Sequence, residues 1–450
     1  MEIFGPSKTS IDRLVIDGAL ITGSKKISSK LNDFFIEKVV KITNEIPQVS
    51  EDPMIHYRKF IDRPQNEMEL NELSIDDIYK ILRTMKKSAS TAISGISMQM
   101  VNMAKEAIVP ILANIYNNII RKGIYPNCWK ESKIIAIPKV SNAMEAKQYR
   151  PINILEPCSK ILEKYLSSTI TNHMRRNNLL YENHNGSIPG RSTAKTIVSL
   201  QHKILSNKDK GNTVALVALD QSAYYDVVNH GILKNKMEHI GIRGKSLKVM
   251  SSLLSNRRQR TSINTHLSPS RYNIDAGVLQ GSSASGTCAL IYTLDVFNIT
   301  HEEKHQNHSE YNQCTNSIEG GATIESYVDD IYGVVCGNDK NIKDRIINYL
   351  KKMKAYFNQN RLKINLDKTK IIIWNRKKAN KYLQTTNICV DDINVDAVNN
   401  MKILGFVLNR ALNKKDHVLR GNFSTLAQIK RRGKALMKIS KFLSAKKTLS

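Results

Sequence analysis

No run of about 18 apolar residues occurs anywhere in the 450-residue chain, so nothing in it reads as a membrane span. The stretch from Met1 to Leu20 mixes charges early and has no apolar centre, which speaks against a secretory signal. With 11 prolines and 21 glycines, the chain is neither collagen-like nor a Pro/Gly-rich sequence. Cysteine is sparse and scattered: Cys128, Cys158, Cys288, Cys314, Cys336 and Cys389 contain no CxxC pair. That spacing argues against a zinc knuckle, a zinc ribbon or a disulfide framework, and it fits a reducing, intracellular compartment. The most metal-like spacing, His301, His305 and His308, falls in a polar stretch running to Gly321 that reads as a solvated surface loop.

Acid is the other shortage. Lys and Arg number 68 against 40 Asp and Glu, a formal net charge of +28. Such an excess on a globular chain points to a polyanionic partner, most commonly nucleic acid. The excess is uneven: residues 1–80 hold 11 basic and 14 acidic side chains, residues 81–330 hold 30 and 19, and residues 331–450 hold 27 and 7. It culminates in Lys430-Arg431-Arg432-Gly433-Lys434 and Lys446-Lys447, a segment suited to tracking a phosphate backbone. What is present in quantity is ordinary core material, since hydrophobic residues make up 41% and the length suits two or three domains.

Helical spacing of apolar residues runs from Ile27 to Ile42, and an acidic connector follows over Glu51–Asn71. Ser74 precedes Asp76, Asp77 and the periodic set Ile78, Ile81, Leu82 and Met85, the pattern of a capped helix start. Met100–Ile120 reads as an amphipathic helix stopped by Gly123 and Pro126. Lys133–Val140 is β-prone, Ser159–Met174 is helical, and Thr193–Leu205 is a helix after a Pro189-Gly190 turn. The clearest strand is Thr213–Leu219, apolar almost throughout and so expected to be buried on both faces, ending in Asp220. A second apolar strand, Ile331–Val335, follows Asp329-Asp330 at an expected turn. If these strands are neighbours, Asp220 and Asp329 converge. Converging carboxylates repel, and a divalent cation with hard oxygen preferences, Mg²⁺ or Mn²⁺, resolves the repulsion.

Tyr327-Val328-Asp329-Asp330 matches the YxDD motif of reverse transcriptases. The segment from Leu219 through Asp220, Gln221, Ser222, Ala223, Tyr224, Tyr225, Asp226, Val227, Val228 and Asn229 to His230 resembles that family's LDxSxAFDxVxH. Gly277-Val278-Leu279-Gln280-Gly281-Ser282 is close to GVPQGS, and Pro189-Gly190-Arg191-Ser192-Thr193 is similar to the end of GFRPGRST. Trp129-Lys130, Ile137-Pro138-Lys139, Tyr149-Arg150-Pro151-Ile152 and Ser159–Lys164 look like fingers motifs. Leu362–Asn365, Lys368-Thr369-Lys370 and Lys402–Gly405 look like the last palm motifs. The ordered set, spanning roughly residues 75–420, resembles the reverse transcriptase of LINE-type (non-LTR), jockey-like retrotransposons.

The resemblance implies an α+β fold: a right-hand polymerase with fingers, a palm on an antiparallel sheet with helices on one face, and a short helical thumb. It divides the chain into an N-terminal linker or extension (1–74), a fingers extension (75–117), the fingers and palm (118–408) and a partial basic thumb (409–450). It implies an RNA-directed DNA polymerase that adds dNTPs to a DNA 3′ end on an RNA template by two-metal phosphoryl transfer. Asp220, Asp329 and Asp330 would hold Mg²⁺, with Mn²⁺ as a substitute, and Lys368 would protonate the leaving pyrophosphate. Lys139 and Arg150 would bind the triphosphate, Tyr225 would exclude a ribose 2′-OH, and Gln280 with Gly281 would meet the incoming nucleotide. Tyr327 and Gly405 would lie along primer or template.

Departures from the family pattern are Tyr224 for Ala, which would make a bulkier pocket wall, Leu279 for Pro, and His184, Ser187 and Ile188 in the loop before Pro189. No endonuclease or Cys/His knuckle is recognisable, so a fragment or stripped-down copy is expected. Nuclear action follows from the family's use of chromosomal ends, while the oligomeric state stays open. The alternative is a catalytically decayed RNA-binding or maturase-like protein on the same fold.

Overall fold

The computed structural model describes residues 11–272, 276–300, 322–375, 388–391 and 393–412. The histidine-rich insert, the basic Lys430–Lys434 cluster and the thumb segment beyond residue 412 lie outside the described residues.

The chain opens with a hairpin of β1 (Arg13–Ile16) and β2 (Ala19–Thr22), joined by Asp17-Gly18 with positive φ at both positions, as a tight two-residue turn requires. Helix α1 (Ser24–Glu45) follows the Ile27–Ile42 periodicity and buries Ile27, Leu31 and Phe35. The acidic connector is more ordered than its composition suggested: α2 (Met54–Phe60) sits inside it and buries Met54, Tyr57 and Phe60. Helix α3 (Ile75–Thr84) starts as expected, with the Ser74 hydroxyl accepting from the Asp77 N–H and the Asp77 carboxylate accepting from the Ser74 N–H. The Met100–Ile120 run is split at Ala104 into α4 (Met98–Met103) and α5 (Lys105–Lys122), the latter ending at a left-handed Gly123.

Strands β3 (Glu131–Pro138) and β4 (Tyr149–Ile154) pair antiparallel and are followed by α6 (Pro157–Arg176) and α7 (Thr193–Asp209). Next come β5 (Thr213–Gln221), α8 (Tyr224–Val227), α9 (His230–His239), α10 (Gly244–Leu254), β6 (Arg258–Ile263), β7 (His266–Leu267), β8 (Arg271–Tyr272) and α11 (Ser283–Tyr292). The hairpin β9 (Ala322–Tyr327) and β10 (Asp330–Gly337) leads into α12 (Ile342–Gln359) and β11 (Ile364–Trp374). Four short strands finish the described fold: β12 (Ile388–Val390), β13 (Ile393–Ala397), β14 (Asn400–Ile403) and β15 (Phe406–Asn409).

These elements form two compact units. One comprises Met1–Pro189, Gln221–Ile299 and Lys354–Ile364, the other Gly190–Asp220, Thr300–Met353 and Asn365–Ser450. The first unit holds a sheet ordered β4-β3-β6-β7, with β8 also on β6 and a parallel pairing of β3 with β6. Leu14, Ile27, Leu31 and Phe35 pack against Ile134, Tyr149 and Ile263 of that sheet, so the N-terminal segment is part of this core. Its polar centre is Lys236, fully buried, with Nζ 2.6 Å from the Tyr292 carbonyl, 2.6 Å from Asn360 Oδ1 and 3.2 Å from Asp295. Burial lowers the Lys236 pKa and Asp295 opposes that, while Lys236 and His56 keep the Asp295 carboxyl low in spite of its own burial. His56 and Tyr57, both in α2, close over this pair, His56 at 2.8 Å from Asp295 and the Tyr57 ring 4.7 Å from the ammonium.

The second unit is built on a six-stranded sheet ordered β12-β13-β11-β5-β10-β9. Strands β5 and β10 are antiparallel neighbours, with Leu219 opposite Ile331, so the two apolar strands of the sequence do meet. Val214–Val217 are completely buried, as a central strand demands. Two features of the expected palm need correction. The sheet is mixed, since β11 and β13 run parallel. Helices also cover both faces. Tyr332, Val334 and Cys336 pack with Leu200 and Ile204 of α7, whereas a Cβ on Gly333, which points to the opposite face, would meet the Tyr349 ring of α12 at 2.4 Å. A strand apolar on both faces has to be shielded on both. On the α7 face, Lys203 and Ser199 bond the buried Glu325 carboxylate at 2.7 and 2.5 Å.

Gly333→Ala should therefore cost about 1–3 kcal/mol in a urea titration by overpacking, and Tyr349→Leu in the same chain should recover part of that loss. An unchanged midpoint for Gly333→Ala contradicts the close packing of α12 on β10.

Candidate active site

In the second unit the β9–β10 hairpin pairs Tyr327 with Asp330 and turns on Val328-Asp329. Val328 has φ 60, a conformation that costs a β-branched residue about 1–3 kcal/mol and is held only where the surroundings enforce it. Asp220 lies next to last in β5, beside β10, and is half-buried, while Asp329 and Asp330 sit at the exposed strand end. On the inner side, protein crowds the Asp330 carboxyl. This desolvation, with the charges of Asp329 and Asp220, pushes its pKa up to about 6. Burial also raises Asp220, opposed by Lys368. Lys368 is exposed on β11, the strand on the other side of β5, and Thr369 Oγ1 lies 3.5 Å from the Asp220 nitrogen.

Within this unit the fold thus brings Asp220, Asp329 and Asp330 to one end of the β5–β10 pair, with Lys368 on the adjoining β11. The donor set is all hard carboxylate oxygen, which suits Mg²⁺ or Mn²⁺. Among the described residues, however, no three acidic, His or Cys side chains are already gathered as a metal cluster. Tyr327 is half-buried at the end of β9. Gly405, φ 87, forms a two-residue turn with Leu404, φ 47, at the tip of the β14–β15 hairpin, with open space where a Cβ would be.

The other predicted residues belong to the first unit. Arg150 is exposed at the start of β4, opposite Ile137, and Lys139 follows β3, with its ammonium 2.7 Å from the Lys147 carbonyl. The loop carrying Gln280 is stitched to two neighbours. On one side the Val278 N–H donates to the Tyr225 carbonyl at 2.6 Å, the Gly277 N–H to Val228 at 2.8 Å, and His230 Nε2 lies 2.7 Å from the Gly277 carbonyl. On the other side the Asn153 N–H of β4 donates to the Gln280 carbonyl at 3.1 Å. Both glycines are required by close approach: a Cβ on Gly277 would lie 2.6 Å from the Asp226 carbonyl oxygen, and one on Gly281 3.0 Å from the Asn153 carbonyl. Arg150's strand, Tyr225's segment and the Gln280 loop are therefore one bonded framework.

Tyr224 does not form a pocket wall. It is 2% exposed and its hydroxyl donates to the Ala289 carbonyl at 2.8 Å, so the larger ring is absorbed into the core under α11. His184 and Ile188 are likewise buried. Sequence reasoning missed two contributors. Asp226 accepts a 3.0 Å bond from Gln280 Nε2, and burial raises its pKa against Lys38, the Gln280 bond and Lys139. Helix α1, read as part of an extension, lines a cavity with Phe35, Ile36 and Val39 facing Asp226, His230 and Leu279. The Asp226 carboxylate stands within a quoted motif, but nothing in its spacing names Gln280 as its partner.

The family described as reverse transcriptase (RNA-dependent DNA polymerase) matches residues 137–408, more than half of the chain. The chain belongs to the reverse transcriptase family. This reverse transcriptase is 24% identical over 360 residues to the probable RNA-directed DNA polymerase from transposon BS of Drosophila melanogaster, covering 79% of the chain and 38% of that protein. It is 24% identical over 320 residues to the corresponding protein of the Drosophila melanogaster X-element, covering 70% and 33%. An uncharacterised 149 kDa protein of transposon TX1 from Xenopus laevis is 19% identical over 214 residues, 48% of the chain and 16% of that protein. The LINE-type resemblance read from the motifs stands, and the chain spans about a third of the length of the first two relatives. Among the described residues no helix is long and apolar enough to cross a membrane.

Two outcomes follow. A carboxyl whose folded pKa lies above its unfolded value costs stability as pH rises through that interval, here from about 4 to about 6. Asp330→Asn should thus raise the melting temperature of the metal-free protein at pH 7.5 and leave it nearly unchanged at pH 4; the reverse order contradicts the assigned crowding. Gly277→Ala should cost more than Gly405→Ala, about 2–3 against about 1 kcal/mol in denaturant titrations, because only the first also meets backbone.

Proposed function

We propose that the chain is an RNA-directed DNA polymerase of a LINE-type retrotransposon, extending a DNA 3′ end with dNTPs on an RNA template. The observation that carries this reading is the placement of Asp220 at the end of β5 beside the β9–β10 hairpin that bears Asp329 and Asp330. In this reading the six-stranded sheet is the palm, the five-stranded sheet belongs to the fingers, and the basic segment from 409 begins the thumb and holds the emerging duplex.

Asp220 and Asp329, with Asp330 completing the acidic set, would hold Mg²⁺, and Mn²⁺ in its place. When bound, such a pair of ions lowers the pKa of the primer 3′-OH and offsets the charge of the triphosphate. The protein's own groups do the rest. Arg150 and Lys139 bind triphosphate oxygens, Arg150 by its two-pronged geometry. The Tyr225 ring fills the space that a ribose 2′-OH needs. Gln280 and Gly281 meet the nucleotide, Lys368 gives a proton to the leaving pyrophosphate, and Tyr327 and the Gly405 turn lie along primer and template. Action in the nucleus goes with use of chromosomal 3′ ends. The intact Asp220 and Asp329 support this reading over that of a decayed, merely RNA-binding copy.

Primer extension with purified protein, an RNA template, a DNA primer, dNTPs and Mg²⁺ tests the proposal. Extension is expected, with Asp329→Asn reduced about 10³-fold or more, since a lost metal ligand removes several kcal/mol of transition-state stabilisation. RNA binding without extension, or full activity in Asp329→Asn, refutes it. Tyr225→Ala should admit ribonucleotides; unchanged discrimination refutes the steric gate.

A further inference from the structure

Asp226 is a carboxylate that the mechanism above does not use. It is half-buried, and taking a charge even partly out of water is expensive unless something compensates it. Its side chain faces a cavity lined mostly by apolar groups, among them Phe35, Val39, Leu254 and Val278, and burial pushes its pKa up. The contact it makes in return is specific: Oδ1 accepts from Gln280 Nε2 at 3.0 Å. Asp226 is itself held, because its N–H donates to the Ala223 carbonyl at 2.8 Å within the turn that starts α8. The Gln280 main chain is fixed independently by Asn153 and, through Val278 and Gly277, by Tyr225 and Val228. The side-chain amide is the part of Gln280 left to be oriented.

We infer that Asp226 is a positioning residue for nucleotide binding, which fixes the Gln280 amide with its nitrogen toward the protein and its oxygen available to a donor group on the incoming nucleotide. This rests on the proposed polymerase reading of the same site. A carboxylate can do this where a neutral amide cannot. As an acceptor it admits only the NH₂ end of Gln280, so one of two nearly isosteric orientations is selected. The contact also ties two elements together through a side chain, since Asp226 directly follows Tyr225. Displacing the amide would therefore weaken nucleotide affinity without touching the acids of the other unit.

The test compares wild type, Asp226→Leu, Asp226→Asn, Gln280→Ala and the Asp226→Leu/Gln280→Ala double variant in single-dNTP primer extension, with melting curves for each. Asp226→Leu should raise KM for the dNTP about tenfold, the size of one charge-assisted hydrogen bond, with kcat changed less than about threefold. Its melting temperature should stay level or rise, because an apolar side chain suits the cavity better than a carboxylate. Asp226→Asn keeps an acceptor but admits either end of the Gln280 amide, so its KM should fall between those of wild type and Asp226→Leu. The double variant should be no worse than Gln280→Ala alone, because Asp226 acts through that side chain. Multiplying losses, an unchanged KM in Asp226→Leu, or a KM loss that tracks a lowered melting temperature overturns the inference. If wild type does not extend primers, the polymerase reading fails. Calorimetric titration with dTTP and Mg²⁺ then reads the same cycle, and a wild type that binds no dTTP overturns the positioning role as well.

Discussion

The pairing of β5 with β10 is the constraint on which the proposed chemistry depends. Each strand is apolar enough to be buried on both faces, and each meets acidic residues at the same end, Asp220 on one and Asp329-Asp330 on the other. Antiparallel register, with Leu219 facing Ile331, leaves the carboxylates no choice but to share a neighbourhood. The hydrophobic core thus provides the energy that holds the strands together, and desolvation, with the charges of Asp329 and Asp220, raises the Asp330 pKa. A divalent cation bound there, as proposed, would relieve the repulsion among these carboxylates.

The first unit holds Arg150 on β4, Tyr225 on α8 and the Gln280 loop in one bonded framework. Backbone bonds do most of the alignment there, and glycines permit approaches that a Cβ would block. The buried Lys236–Asp295 pair anchors the same unit further inside and draws α2 into it. Removing one member of such a pair costs about 3–5 kcal/mol, because the other is stranded. The acidic N-terminal stretch therefore serves the fold as well as preceding it.

Much of this was legible in the sequence. The Thr213–Asp220 strand, the Ser74 helix start and the order of motifs each announce themselves through apolar runs, capping chemistry or fixed spacing, and the structure places them accordingly. What escaped depended on partners remote in sequence. The apolar strand called for cover on both faces, but that α12 supplies it through Tyr349 against Gly333 was not legible, because a glycine in a strand does not say which helix it admits. The split at Ala104, the helix at Met54–Phe60 and the Asp226–Gln280 bond are settled by tertiary packing, where local pattern has little to say. Tyr224 looked like an intrusion by comparison with the family, and the core under α11 simply makes room for it.

On the proposed reading, strand pairing makes Asp220 and the Asp329-Asp330 pair one cation site. Iron-mediated backbone cleavage addresses it directly: Fe²⁺ replaces Mg²⁺ in the native protein, ascorbate and peroxide generate hydroxyl radicals, and the fragments are mapped. Cuts are expected close to 220 and close to 329 together, suppressed by excess Mg²⁺ and lost in Asp220→Asn. Cleavage at one of these positions without the other, or at neither, would contradict the shared site.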